Sequence, residues 1–140
     1  MMKYILDEEY EFDFSLMGIC CHEKSYRLCW ALNKILNTSL ERAKEDIEII
    51  LNKSSKPNLC FPLYYSNEEG IQTNYYLIGN KCGKNYLIPE KEYVDFFLMI
   101  KSSDKVLSDN LLKRIRSVNF ILTVQPIIVE KLKSKKNLIF

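Results

Sequence analysis

The stretch IPEKEYVDFFLMIK (residues 88–101) is the part of the sequence on which we base the fold assignment. A proline and an acidic residue form a predicted turn, and a nearly unbroken apolar segment follows it. Alternation along this segment predicts a strand with apolar side chains on both faces. One face is predicted to carry Val94, Phe96, Leu98 and Ile100, and the other Phe97 and Met99. Such strands are usually covered on both sides, so the predicted sheet needs a packing layer on each face.

The segments upstream predict further strands joined by short links. Strands are predicted at about 46–51, 59–65, 73–80 and 86–88, where β-branched and aromatic residues lie between polar or glycine-containing turns. Pro62 lies inside the second of them and predicts an edge strand or a bulge. Such an edge is a candidate site for pairing with a second copy of the chain. Four successive strands with short connections predict an antiparallel meander.

Two helices are predicted around this meander. The first lies at residues 23–36, and its periodicity predicts one apolar face that consists of Tyr26, Cys29, Trp30, Leu32 and Ile35 and is widened by Leu28 and Leu36. The second, at about 104–117, precedes a strand at 120–124 that Pro126 is expected to end. Strand, helix and strand within about 30 residues have the spacing of a right-handed parallel crossover. Residues 127–136 are predicted to form a short helix.

We therefore expect a single α+β domain over residues 1–140. It combines a mostly antiparallel sheet (the meander) with one strand–helix–strand crossover and a packed N-terminal helix. The net charge of +2 favours neither nucleic acid nor an anionic membrane. No signal peptide precedes the five cysteines, and no apolar run is long enough to span a bilayer. We expect a cytoplasmic protein with reduced thiols and no membrane partner.

Four side chains form a candidate pocket: Glu90, Asp95, Arg27 and His22. Paired carboxylates bind cations or divide acid and base roles when they converge. His22 is the only histidine of the chain, and so the only side chain that ordinarily titrates near neutral pH. Asp95 enters a buried strand and therefore needs a partner, for which Arg27 is predicted. We expect this acid–arginine pair to be structural, and we assign no catalytic residue.

Metal and cofactor sites are not predicted. Cys20, Cys21, His22 and Cys29 lack the paired spacing that zinc sites use, so we expect the cysteines to be small buried residues. The four glycines form no glycine-rich run, which excludes a phosphate loop.

Aromatic and basic residues give the candidate interaction surface, which we assign to Tyr64, Tyr76, Lys131, Lys133, Lys135 and Lys136. Aromatic side chains on an open sheet can stack bases. In the adjacent pairs 64–65 and 75–76, however, one tyrosine faces each side of its strand, so half of them are expected in the core. The lysine run at 131–136 is either a solvated surface or a docking tail with apolar anchors at 138–140.

Residues 88–96 resemble the motif I-P-E-x-x-x-V-D-Y, after which a bacterial family of uncharacterised small proteins is named. Phe96 stands where the motif has tyrosine, which removes one hydroxyl. Further similar segments lie at 12–19, 26–33, 75–81 and 132–138, so the resemblance covers almost the whole chain. It implies a stand-alone cytoplasmic protein of this size, and it carries no activity, cofactor or catalytic residue with it.

These observations predict a non-catalytic interaction protein that binds an unknown protein partner or RNA, without DNA specificity. The binding surface is predicted at the sheet edge or the basic C-terminal end. The alternative is a small enzyme or ligand-binding protein with a pocket built on Glu90, Asp95, Arg27 and His22. Convergence of these side chains on an open concavity favours the pocket. Burial of Arg27 against Asp95, or a large exposed apolar patch, favours the interaction protein.

Overall fold

The computed structural model describes residues 14–50, 58–67, 73–102 and 109–140, and it confirms the predicted α+β architecture. In chain order its elements are β1 (Ser15–Cys21), α1 (Ser25–Leu36), β2 (Glu41–Arg42), β3 (Ile47–Ile49), β4 (Leu59–Phe61), β5 (Leu63–Asn67), β6 (Thr73–Gly79), β7 (Lys81–Cys82), β8 (Asn85–Tyr86), β9 (Phe96–Ser102), α2 (Asp109–Arg116) and β10 (Ile121–Ile127). A six-stranded sheet forms the centre, and the pairs β3–β4 and β7–β8 form two small sheets beside it.

The six-stranded sheet has the order β10-β1-β9-β6-β5-β2, and every neighbouring pair is antiparallel. Of the four strands of the predicted meander, those at 59–65 and 73–80 pair in this sheet as β5 and β6, whereas the one at 46–51 pairs as β3 with β4 in a small sheet. The predicted strand at 86–88 does not belong to the central sheet. Instead, β7 and β8 form a hairpin outside this sheet. β9 and β10 both run antiparallel to β1, which lies between them. The predicted crossover is therefore present as two parallel strands separated by a third.

β9 is buried on both faces, as its composition predicts. Phe96, Leu98 and Ile100 contact the core on the helical side of the sheet, and Phe97 and Met99 contact the core on the opposite side. Val94 was predicted on the same face as Phe96, but it packs on the opposite side of the sheet, with Phe97 and Met99. The alternation cannot be extended back to Val94 because β9 begins only at Phe96.

Different elements cover the two faces of the sheet. Helices α1 and α2 cover one face, mainly with Leu28, Leu32, Leu112 and Ile115. The strands β3 and β4, the turn before β9 and the C-terminal segment cover the other, mainly with Ile47, Phe61, Ile88, Leu132 and Leu138. Burial of Leu132 and Leu138 shows that the C-terminal segment is packed on the body of the protein.

The buried face of α1 agrees with the predicted one except for its two aromatic residues. Leu28 and Leu32 are fully buried, whereas Tyr26 and Trp30 are each 64% exposed. Residues two positions apart lie about 200° apart around a helix, so the aromatic pair faces away from the leucines. The aliphatic stripe occupies the core, and the two aromatic rings remain on the surface. Periodicity placed these two rings in the core wrongly because α1 has apolar residues on more than one side.

Pro62 separates two strands instead of lying inside one. The chain pairs with β3 through β4, passes Pro62, and then joins the central sheet as β5. Gly79 on β6 makes room for this passage, because a Cβ atom there would lie 2.6 Å from Pro62 Cγ. The segment predicted as an edge is flanked by β2 and β6 along β5. The β4 part of this segment, however, pairs only with β3 among the described residues and is an edge, so pairing with a second copy there stays a prediction.

Two predictions for the C-terminal part of the chain are wrong. Pro126 does not end a strand but lies within β10, opposite Met17 of β1. β10 is an edge strand, where a residue without an N–H is tolerated. The helix predicted at 127–136 is replaced by two 3₁₀ turns, Val129–Lys131 and Lys135–Leu138.

Candidate functional site

The turn that carries the motif (residues 88–95) is built around the amide of Asn80, which is 0% exposed. Asn80 Nδ2 donates hydrogen bonds to the carbonyls of Lys91 (2.9 Å) and Val94 (2.8 Å). Asn80 Oδ1 accepts one from the Ile88 N–H at 2.9 Å. The Lys91 carbonyl also accepts the Val94 N–H at 3.0 Å within the turn, so the Asn80 side chain matters most for the Ile88 N–H and the Val94 carbonyl. The motif thus owes its shape to a residue outside it.

Asp95 holds a structural ion pair, but its predicted partner is wrong. Asp95 Oδ1 lies 2.6 Å from Lys81 Nζ, and Oδ2 accepts a hydrogen bond from the Cys21 N–H at 2.9 Å. The hydrogen bond that the Lys81 ammonium group donates to Asp95 raises the pKa of Lys81. Arg27 is exposed on α1 and lies 3.8 Å from Glu23 instead. The need of a nearly buried carboxylate for a cation was predicted correctly, but the cation comes from β7.

Glu90 holds the C-terminal segment against the motif turn. Its two carboxylate oxygens accept hydrogen bonds from the Ser134 N–H (2.8 Å) and the Ser134 hydroxyl (2.9 Å). Burial alone would raise the pKa of Glu90, but these hydrogen bonds to the charged form outweigh it and lower the pKa below its ordinary value of 4.5. Glu90 therefore acts as a clamp between residues far apart in the sequence.

The lowered pKa predicts a pH dependence that Glu90→Gln removes. A carboxylate with a depressed pKa in the folded state contributes stability above about pH 4.5, and this contribution is lost as the pH falls through the folded-state pKa. Urea midpoints of the wild type should therefore fall more steeply below that pH than those of Glu90→Gln. Exposed Glu130→Gln is the control for the loss of one charge. Parallel curves for wild type and Glu90→Gln would contradict the clamp.

His22 and Asp95 line the same open cleft of about 580 Å³ at the start of α1. Its other lining residues include Lys24, Ser25, Tyr26 and Lys81. Neither Arg27 nor Glu90 lines this cleft, so only two of the four predicted pocket residues converge there. The Asp95 carboxylate is already occupied by Lys81 and a backbone N–H. Burial raises the pKa of the neighbouring Cys21 thiol, which disfavours the reactive thiolate.

The two candidate tyrosines have different environments. Tyr64 is buried on the helical side, where its hydroxyl lies 2.9 Å from Ser25 Oγ. It is therefore part of the core and not of a binding surface. Tyr76 is half-buried on the opposite side of the sheet, next to its cross-strand partner Tyr65. The prediction that adjacent tyrosines face opposite sides is confirmed.

Tyr76 lies in a groove of about 500 Å³, which we call the β3 groove. One wall is the stretch from Glu45 to Ile49, which contains β3. The C-terminal segment forms the other wall with Lys136, Ile139 and Phe140. Leu63 and Tyr76 also line the groove. The groove thus brings together two predicted interaction residues, Tyr76 and Lys136.

Two aromatic rings, Tyr76 and Phe140, line the β3 groove, and Tyr65 lies beside Tyr76. The ring centroids of Tyr65 and Tyr76 are 6.4 Å apart and nearly parallel, and those of Tyr76 and Phe140 are 5.7 Å apart. The ammonium group of Lys101 lies 5.2 Å from the Tyr76 centroid. Burial, and to a smaller extent Tyr65, raises the pKa of the Tyr76 hydroxyl. Phe140 nevertheless remains 51% exposed and Ile139 38% exposed, so their apolar surface is available to a partner.

The four candidate lysines do not form one basic patch. Lys131 and Lys133 line a separate depression of about 400 Å³ together with Glu90. Lys135 and Lys136 lie on the following 3₁₀ turn, where Lys136 belongs to the β3 groove. The two turns distribute these residues over different sides of the C-terminal segment. Of the predicted apolar anchors, Leu138 is buried, whereas Ile139 and Phe140 are exposed.

Asn80 and Lys81 were not among the predicted site residues. They follow the buried end of β6 directly and supply the amide and the cation that hold the motif turn. A polar pair after a buried strand is the only signal for them in the sequence. It does not distinguish residues that turn inward from residues that face solvent.

Among the described residues, no three His, Cys, Asp or Glu side chains are grouped in a way that could hold a metal ion. Within the same part of the chain, no helix is long and apolar enough to cross a membrane. The chain matches no model of a known protein family and no curated protein sequence.

Proposed function

We propose that the protein is a non-catalytic interaction protein that holds an extended segment of a partner protein in the β3 groove. The observation that carries this proposal is the exposed apolar surface of Ile139 and Phe140 beside the Tyr76 ring. The acidic residues that suggested catalysis are engaged instead in structural contacts within the chain. The chemistry offered by the groove is therefore that of binding.

Aromatic side chains at the centre of a contact supply most of the energy in many interfaces. Phe140 is held in position by Tyr76, and Tyr76 by Tyr65, so these rings lose little freedom when a partner binds. Leu63 and Ile49 add apolar surface to the lining of the groove. A partner segment with apolar side chains on one side would cover this surface.

The backbone of β3 indicates how a partner segment would lie. β3 pairs with β4 on one side, and among the described residues no strand pairs with its other side. An extended segment can add to such an edge by main-chain hydrogen bonds while alternate side chains enter the groove. Glu45 and Glu48 are exposed on this wall, and Asp46 is paired with Arg42 at 2.6 Å. We therefore propose a partner segment that alternates apolar residues and carries basic residues at its flank.

Phe140→Ala is expected to weaken binding of such a segment about tenfold, because it removes an aromatic contact of about 1.4 kcal/mol. A displayed library of random peptides, selected on the wild type, supplies the ligand. Fluorescence anisotropy of a labelled selected peptide then gives the dissociation constant for each variant. The selected peptides should show alternating apolar residues and flanking lysine or arginine.

Leu122→Ala is the matched control, because Leu122 is a 60% exposed apolar side chain on β10, outside the groove lining. It should bind the selected peptide like the wild type. Selection of no peptide, or equal affinity for Phe140→Ala and the wild type, would contradict the proposal. Loss of binding in Leu122→Ala alone would move the binding surface to β10.

The cytoplasmic location and the family resemblance belong to the same proposal. All five cysteines are free, which supports a reducing compartment. The resemblance to the I-P-E-x-x-x-V-D-Y family rests on the sequence of residues 88–96, in which Glu90 and Asp95 each hold long-range contacts. In this proposal the motif preserves the shape of the protein, and the binding surface lies elsewhere.

A further inference from the structure

The outer surface of the two helices has a composition unlike the rest of the chain. Residues 24–40 and 110–129, which directly follow Glu23 and Asp109, contain no aspartate or glutamate, although the net charge of the whole chain is only +2. They contain six basic residues: Lys24, Arg27, Lys34, Lys113, Arg114 and Arg116. All six are exposed. Because α1 and α2 cover the same face of the sheet, these charges lie on one side of the molecule.

Two aromatic rings lie among these charges. Tyr26 and Trp30 are one helical turn apart on α1, and each is 64% exposed. The ammonium group of Lys34 lies 5.1 Å from the Trp30 ring, and the Arg27 guanidinium lies 5.5 Å from the Phe120 ring. The aromatic rings and the cations are therefore neighbours, and we call this surface the helical face.

Within the part of the chain that the structure describes, most of this positive charge has no carboxylate partner. Arg114 donates a hydrogen bond to the carbonyl of Ile35, and Arg116 donates one to the carbonyl of Val124 at 3.1 Å. Carbonyl oxygens position a guanidinium but do not neutralise it. The ion pairs among the described side chains include one cation of the helical face, Arg27, at a long distance of 3.8 Å from Glu23.

From this arrangement we propose that the helical face binds single-stranded nucleic acid without sequence preference. Proteins of this kind combine cations that follow the phosphates with exposed aromatic rings on which bases stack. Tyr26 and Trp30 are the stacking residues, and Lys34, Lys113 and Arg114 are the phosphate contacts. The absence of acidic residues from both segments favours a polyanion over a protein partner of mixed charge. The helical face is separate from the β3 groove, so the two proposals are independent.

Trp30 is the only tryptophan and reports directly on this surface. Titration with a single-stranded RNA oligonucleotide should quench its fluorescence in a saturable manner, and single-stranded DNA should do the same. Affinity should fall with increasing salt, with a slope of about −0.7 for each phosphate contact. A duplex of the same sequence should bind more weakly, because its bases are not available for stacking.

Two variants test the two parts of the proposal. Tyr26→Ala keeps the fluorescent reporter and is expected to weaken binding about tenfold through the loss of one stacked base. Lys34→Gln should lower the magnitude of the salt slope by about 0.7. The controls are Tyr93→Ala, at a 51% exposed tyrosine in the motif turn, and Lys131→Gln, which removes an equal charge from the C-terminal segment. Both controls should bind like the wild type.

Three results would overturn the proposal. The first is an unchanged Trp30 fluorescence at every oligonucleotide concentration. The second is equal affinity of Tyr26→Ala and the wild type, with both proteins folded by circular dichroism. The third is equally tight binding of polyglutamate, which would show that the helical face selects an acidic protein segment instead of bases and phosphates.

Discussion

Asn80→Ala is expected to lower the free energy of unfolding by about 3–5 kcal/mol, the largest effect among the substitutions considered. The substitution leaves the Ile88 N–H and the Val94 carbonyl without their side-chain partner, while the Lys91 carbonyl loses one of two hydrogen bonds and keeps that from the Val94 N–H. Asn80 is 0% exposed, so water does not replace these hydrogen bonds without a rearrangement of the turn. Each unsatisfied buried backbone group costs about 1–3 kcal/mol.

Urea unfolding followed by far-ultraviolet circular dichroism measures this effect. Fluorescence is less suitable because Trp30 is already 64% exposed in the folded protein. Asn85→Ala is the control, since it removes the same amide from an exposed position on β8. An unfolding free energy of Asn80→Ala within about 1 kcal/mol of the wild type would show that the motif turn does not depend on this side chain.

Asp95→Ala is expected to cost about 2–3 kcal/mol of stability, which lies between the values for exposed and for buried ion pairs. The Asp95 side chain is only 12% exposed, whereas Lys81 is 48% exposed. The loss of stability therefore has two parts. The Cys21 N–H is left without its acceptor, and a partly screened ion pair is removed. The same substitution should leave peptide binding by the folded protein unchanged, because the β3 groove is lined by other residues.

A double-mutant cycle separates these two contributions. Lys81→Ala alone should cost less than Asp95→Ala, because it does not affect the hydrogen bond to the Cys21 N–H. Introduction of both substitutions should cost less than the sum of the single effects. A fully stable Asp95→Ala protein that fails to bind its ligand would assign Asp95 to function and would contradict the structural role.

The sequence predicts those features that depend on local patterns. β9 and its burial on both faces follow from an unbroken apolar run of five residues (96–100), whose alternate side chains face opposite sides of the sheet. The α+β class and the meander follow from short strands joined by short turns. The crossover follows from the order of strand, helix and strand, although the insertion of β1 between the parallel strands is not visible in the sequence.

Features that depend on long-range partners were not predictable in the same way. Burial of Asp95 requires a cation, but the requirement does not say which of twenty basic residues supplies it. The exposed position of Trp30 depends on which stripe of α1 packs best against the sheet. Pro126 was predicted to end a strand because its position at a sheet edge depends on the order of strands.

The β3 groove could be predicted only in part. Tyr76 and Lys136 were candidates by residue type, and Ile139 and Phe140 were candidates as apolar anchors. Their proximity depends on the two 3₁₀ turns that return the C-terminal segment to the sheet. Tyr64 was a candidate for the same reason as Tyr76, but the alternation of the strand turns it into the core.

Chemical-shift mapping by NMR with a selected peptide tests the central claim, that function lies in the β3 groove and not in the motif turn. Amide signals of labelled protein are followed while the unlabelled peptide is added. We predict shifts concentrated at residues 45–49, at Tyr76 and at residues 136–140. Shifts concentrated instead at His22, Lys81 and Asp95 would place the ligand in the cleft beside α1 and would contradict the proposed function.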